Sequence, residues 1–148
     1  MSTRRRAREI ALQVLYQLDL DPEDPKKVLA FHWENFQPSE QAREFCVRLV
    51  EGVLQKGKEI DPLIEEHSEN WTLKRMAVVD RNILRLATFE LRYCPEIPFK
   101  VTLNEAVELA KKFGADDSSA FINGILDRIH SFLIQTLTDN PNIPWAKT

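Results

Sequence analysis

The chain has 148 residues, 43% of them apolar and 29% charged, with 20 Lys and Arg against 23 Asp and Glu and a net charge of −3. Such a composition predicts one globular domain with a sizeable core, and no apolar run approaches the roughly 18–20 residues that would cross a bilayer. Four of the first eight residues are arginine, Arg4, Arg5, Arg6 and Arg8, which leaves 16 basic against 23 acidic side chains elsewhere; any nucleic acid must therefore be met at a local patch, because the body repels phosphate.

Glu9, Gln13, Gln17 and Asp19 interrupt the apolar stretch that a signal peptide needs after its positive start. Cys46 and Cys94 have no second cysteine at metal or redox spacing, so they read as buried free thiols in a reducing cytoplasm.

With only four glycines and apolar residues recurring every three or four positions, the chain reads as all-α. A first helix runs from Ser2 or Thr3 to about Asp19, with Ala7, Ile10, Ala11, Val14, Leu15 and Leu18 on one stripe. Asp24-Pro25 starts a short second helix carrying Val28, Leu29, His32, Trp33 and Phe36. A third follows Pro38-Ser39 and fades near Gly57, and a further piece restarts at Asp61-Pro62. The segment after Asn70-Trp71-Thr72 predicts a central buried helix ending before Cys94-Pro95. Thr102-Leu103-Asn104-Glu105 reads as a capping box that opens the next helix, and Gly114 as its left-handed C-terminal residue. The last helix starts within Asp116–Ser119 and ends at Asn140-Pro141. Six or seven helices with short connections favour antiparallel bundles; residues 1–140 form a single domain and 141–148 a tail.

Signatures of common enzymes are absent: no glycine-rich phosphate loop, no Gly-x-Ser-x-Gly, no His-Glu-x-x-His. His32, His67 and His130 fall on separate segments without a partner at i+3 or i+4, so neither a metal nor another cofactor is expected. At 100° per residue, Arg5, Glu9, Leu12 and Tyr16 fall opposite the apolar stripe of the first helix, with Arg8 on the flank. Two readings follow: an exposed base-stacking platform continued from the arginines, or a helix buried on two sides. Asn123-Gly124 inside an apolar helix predicts a close helix crossing at the glycine, with Asn104 and Asn123 bonded to neighbouring backbone. Asp116-Asp117-Ser118-Ser119 reads as a helix cap, or as donors and hydroxyls that meet RNA sugar and phosphate.

Five blocks taken together resemble the NusB family of bacterial transcription antitermination factors. They are Arg4-Arg5-Arg6-Ala7-Arg8-Glu9 through Tyr16; Asn70-Trp71; Val79-Asp80-Arg81-Asn82-Ile83-Leu84-Arg85-Leu86-Ala87 through Leu91; Asn104 through Lys111; and Phe121-Ile122-Asn123-Gly124-Ile125-Leu126-Asp127. The resemblance implies two three-helix bundles and a non-enzymatic role: binding boxA-type single-stranded RNA of nascent ribosomal RNA together with NusE, a small-subunit ribosomal protein, alongside other Nus factors on RNA polymerase. It maps RNA contact to Arg4, Arg5, Arg6, Arg8, Tyr16, Asp117, Ser118 and Phe121, and partner contact to Asp80. The chain departs from the pattern at Ala120, where relatives often place a basic residue, and its tail ending in Ile143-Pro144-Trp145 lies outside the match.

Similar modules are also fused to ribosomal RNA cytosine methyltransferases; a chain of this length is expected to lack room for that catalytic domain, which leaves action beside such an enzyme as the alternative role. A bare helical scaffold with solvated arginines is the third reading. A homodimer that masks the RNA-binding face is a further candidate assembly.

Overall fold

The computed structural model describes residues 2–139, and the tail from 141 with its Trp145 lies outside them. Seven helices follow in order: α1 (Thr3–Leu20), α2 (Pro25–Phe36), α3 (Glu40–Gln55), α4 (Gly57–Glu66), α5 (Val78–Tyr93), α6 (Phe99–Phe113) and α7 (Ser118–Asp139). A 3₁₀ turn, Leu73–Arg75, precedes α5, and the described residues contain no strand.

Local chemistry sets several of the starts. Ser2 caps α1 by accepting the Arg5 N–H at 3.1 Å, Asp24 caps α2 through Lys26 N at 3.0 Å with Pro25 in the first turn, and Ser39 caps α3 through Ala42 N at 3.2 Å. The expected stripe of α1 is buried in full, and Ile83, Leu84, Leu86 and Ala87 make α5 the central helix. Helices α1–α3 pack as one three-helix bundle and α5–α7 as a second, while α4 leans on α5. Because α1 and α3 also pack on α5, both bundles share one continuous apolar core.

Four local expectations fail, each for a packing reason. The capping box does not start α6: that helix begins one turn earlier after Pro98, and Thr102 is buried with its hydroxyl donating to Glu90 Oε1 at 2.9 Å. Gly114 is extended (φ −95°, ψ −172°) and not left-handed. A Cβ there would lie 2.7 Å from Ser118 Cβ and Oγ and 2.8 Å from the Ala110 carbonyl oxygen, so glycine is required for space. Gly124 marks no close crossing, since an added Cβ would meet only Arg128 Nη1 at 3.6 Å, and Asn104 and Asn123 are exposed. Finally, α4 starts at Gly57, four residues before Asp61, and carries Pro62 inside it. The proline forgoes one backbone bond, which the buried Ile60, Leu63 and Ile64 offset, since burying each such side chain contributes roughly 1.5–3 kcal/mol.

Candidate nucleic-acid interface

The arginine-rich start of α1 lies at the meeting of the two bundles, and its four cations have different fates. Arg8 points inward: its Nε and Nη2 donate to the Glu90 carboxylate at 2.7 and 2.8 Å, in a pair that is almost wholly buried. Arg5 is exposed yet clamped, donating from Nε and Nη2 to Glu105 at 3.1 and 2.6 Å. That bond holds the Glu105 carboxyl below the usual range. Arg4 lies 4.9 Å over the Phe45 ring with Glu96 at 3.9 Å, and Arg6 lies 4.9 Å over Phe36 while donating to the Phe36 carbonyl at 3.3 Å. The planar cations of Arg4 and Arg6 are thus presented on aromatic rings with donors to spare, a geometry that suits phosphate.

Further along α1, Tyr16 is 39% exposed at the edge of an apolar groove of about 570 Å³, lined also by Leu12, Leu20, His32, Val79 and Phe113. Leu12, exposed beside Tyr16 in one reading and packed in the other, is buried in the groove wall, and Glu9 is buried with Lys112 Nζ on its carboxylate at 2.9 Å. The face is divided: α6 covers Glu9 and leaves Tyr16 open. His32 stacks on Phe36, its Nε2 lies 3.3 Å from Gln17 Oε1, and burial lowers its pKa.

The second expected segment divides in the same way. Asp117 is exposed at the start of α7, and Phe121 is half-buried with its ring 6.0 Å from that of Trp71. Ser118 is buried: its hydroxyl accepts the Ala115 N–H at 2.9 Å and stands beside the Asp80 carboxylate. Asp80 stands half-buried in the first turn of α5, one carboxylate oxygen enclosed without a hydrogen-bond partner. Burial, with Asp117 nearby, raises its pKa although the Ser118 hydroxyl opposes this.

Arginines in the Asp80–Leu91 block do structural work that spacing did not show. Asp19 on α1 accepts from Arg81 at 2.7 and 2.9 Å, from Asn82 at 2.9 Å and from Arg85 at 3.1 Å, and Arg85 reaches Asp61 of α4 at 2.9 Å. Three helices are joined by this network, and its cations are not free for phosphate. Among the described residues no cluster of His, Cys, Asp and Glu could hold a metal ion, and no helix is long and apolar enough to cross a membrane.

The NusB family model matches residues 5–131, from Arg5 in the first turn of α1 through most of α7. The chain belongs to the NusB family. A transcription antitermination protein NusB of Geotalea uraniireducens is 55% identical over 141 residues, spanning 90% of this chain and 97% of the relative. The NusB of Myxococcus xanthus is 51% identical over 133 residues, 87% of this chain and 95% of its own length. Among solved structures, T. maritima NusB superposes with a TM-score of 0.81 at 40% identity, covering 86% of this chain and 90% of that one. A chain from a crystal structure of the antitermination factors NusB and NusE in complex with dsRNA superposes with a TM-score of 0.82 at 31% identity, covering 89% and 98%. Two further residues near the candidate site, Trp71 and Arg75, carried no site assignment in the sequence; a tryptophan shortly before a Lys-Arg pair was the available signal.

Proposed function

We propose that this protein is an antitermination factor that binds boxA-type single-stranded RNA of nascent ribosomal transcripts jointly with NusE. It would act in the cytoplasm, within a complex of other Nus factors on RNA polymerase. The observation that carries the reading is the division of labour on α1: Arg4, exposed, and Arg6, half-buried, lie on aromatic rings, and Tyr16 opens onto an apolar groove on the same helix. Arg4, Arg5, Arg6 and Asp117 meet phosphate and sugar, and Tyr16 and Phe121 take unstacked bases. Arg8 and Ser118 act from inside, holding the α1 and α7 starts through Glu90 and Asp80. Asp80, on an otherwise acidic body, meets the basic partner, whose added positive surface raises RNA affinity. The similarity to a chain from a crystal structure of NusB and NusE with dsRNA supports RNA and NusE as partners.

The test is titration of a labelled boxA-type RNA with and without NusE over a range of salt. Replacing Arg4 and Arg6 by Ala is expected to weaken binding and to flatten log K against log [salt] by about 0.7 per lost phosphate contact. An unchanged slope overturns the reading. The mass of the free protein, measured alongside, shows whether a homodimer competes with RNA.

A further inference from the structure

Trp71 stands outside every block assigned to RNA above, yet it is 46% exposed and closes on Phe121 edge-to-face, ring centroids 6.0 Å apart at 76°. The Arg75 guanidinium lies over one face of its ring, 5.8 Å from the centroid, and the exposed Lys74 precedes it on the same 3₁₀ turn. We infer that Trp71, backed by Phe121 and flanked by Arg75, is a second base-stacking platform for the single-stranded RNA, and this rests on the RNA-binding reading just given.

Three observations support it. The first is composition: an open indole with a guanidinium at its ring, beside a further cation, offers a π-face for a base and charge for the adjoining phosphates. The second is rigidity. Ser68 donates to the Ile64 carbonyl, Arg128 Nε donates to the His67 carbonyl at 2.9 Å, and Glu65 accepts the Leu73 N–H at 2.8 Å, while Arg81 donates to the Leu73 carbonyl at 3.3 Å. A platform held this way loses little freedom when a base arrives. The third is backbone strain: Glu69 and Asn70 are consecutive left-handed residues, φ 37° and 60°, and this turn delivers Trp71 outward. Asparagine tolerates that conformation and glutamate does not, so the bonds on either side hold it in place.

Apolar side chains of a protein partner would also fit an open indole, but the adjoining Lys74 and Arg75 and the continuity with Phe121 favour a polyanion. Glu69 is the exposed acidic neighbour in the turn, and its charge limits attraction at a distance.

The full chain carrying Trp33→Phe and Trp145→Phe leaves Trp71 as its single tryptophan, and a boxA-type RNA without NusE is the probe. Stacking is expected to quench the Trp71 emission in step with binding. Trp71→Ala is expected to weaken binding about tenfold, the loss of one stacked base, with an unchanged salt slope, while Trp71→Phe keeps most of the affinity. Arg75→Gln is expected to flatten the slope by about 0.7. Emission unmoved at saturating RNA, or moved by NusE alone and not by RNA, overturns the platform. If the Arg4 and Arg6 replacements still weaken binding in that case, the antitermination reading survives the failure. Normal binding by those replacements together with quenching at Trp71 supports the platform and removes the arginine site. No binding by the parent chain with or without NusE removes both.

Discussion

Arg8 and Glu90 form a bidentate ion pair across the two bundles, with side chains 5% and 2% exposed. Thr102 supplies a further bond to the same carboxylate at 2.9 Å. Removing one partner leaves the other charged and enclosed. Arg8→Ala is therefore expected to cost about 3–5 kcal/mol in urea unfolding, and Arg8→Lys to recover little because an ammonium cannot make the fork. Arg6→Ala, which loses only its stacking on Phe36 and one long bond, should stay within about 1 kcal/mol. Equal midpoints for Arg8→Ala and the parent chain would return Arg8 to the RNA-binding set.

Gly52 and Gly124 both stand inside helices and should respond oppositely to alanine. A Cβ on Gly52 would meet the Phe89 ring at 2.2 Å, and that ring is buried against Tyr93 at 5.4 Å. Gly52→Ala should destabilise by about 1–3 kcal/mol through overpacking. Gly124→Ala meets only Arg128 Nη1 at 3.6 Å and should stabilise by about 0.4–1 kcal/mol by restricting the unfolded chain. Thermal melts of the two variants read both signs at once.

Asp80 sets a pH dependence of definite sign. Burial raises its folded pKa above the unfolded value, so the folded state binds the proton more tightly. Its contribution is favourable below the unfolded pKa and is lost as pH rises through the folded one. Asp80→Asn keeps an acceptor for Ser118 without the charge, and should raise the melting temperature at neutral pH while matching the parent chain in acid. A neutral-pH melt lower than the parent's contradicts this.

Cys46 and Cys94 are buried, and burial pushes both thiols up to about 12. Neither should react with a disulfide reagent at neutral pH in the native protein, and both should react at the rate of unfolding once urea is added. Fast labelling of either without unfolding would show that the core around it opens.

How far the sequence could be read depended on how local each signal was. The apolar stripes of α1 and α5 and the side-chain caps at Ser2, Asp24 and Ser39 depend on residues three or four apart, and they were legible. Thr102 and Glu105 show where such reading stops. Their spacing fits a cap, but both face other helices, where Glu90 and the two arginines bind them more strongly than the backbone could. The face shared by Arg5, Glu9, Leu12 and Tyr16 was also legible as an angle, whereas its burial depended on where α6 lay.

By itself, the sequence determined that the chain is helical, where most helices begin and that its positive charge gathers at one end, because periodicity, capping and charge counting act over one or two turns. Tertiary structure alone decided which partner each arginine meets. Four side chains within five residues look alike in sequence, but α5 and α6 bring Glu90 and Glu105 to Arg8 and Arg5 as bidentate partners, while Arg4 and Arg6 lie on the rings of Phe45 and Phe36. The same packing set Trp71 against Phe121, fifty residues apart in the chain and 6.0 Å apart in the fold.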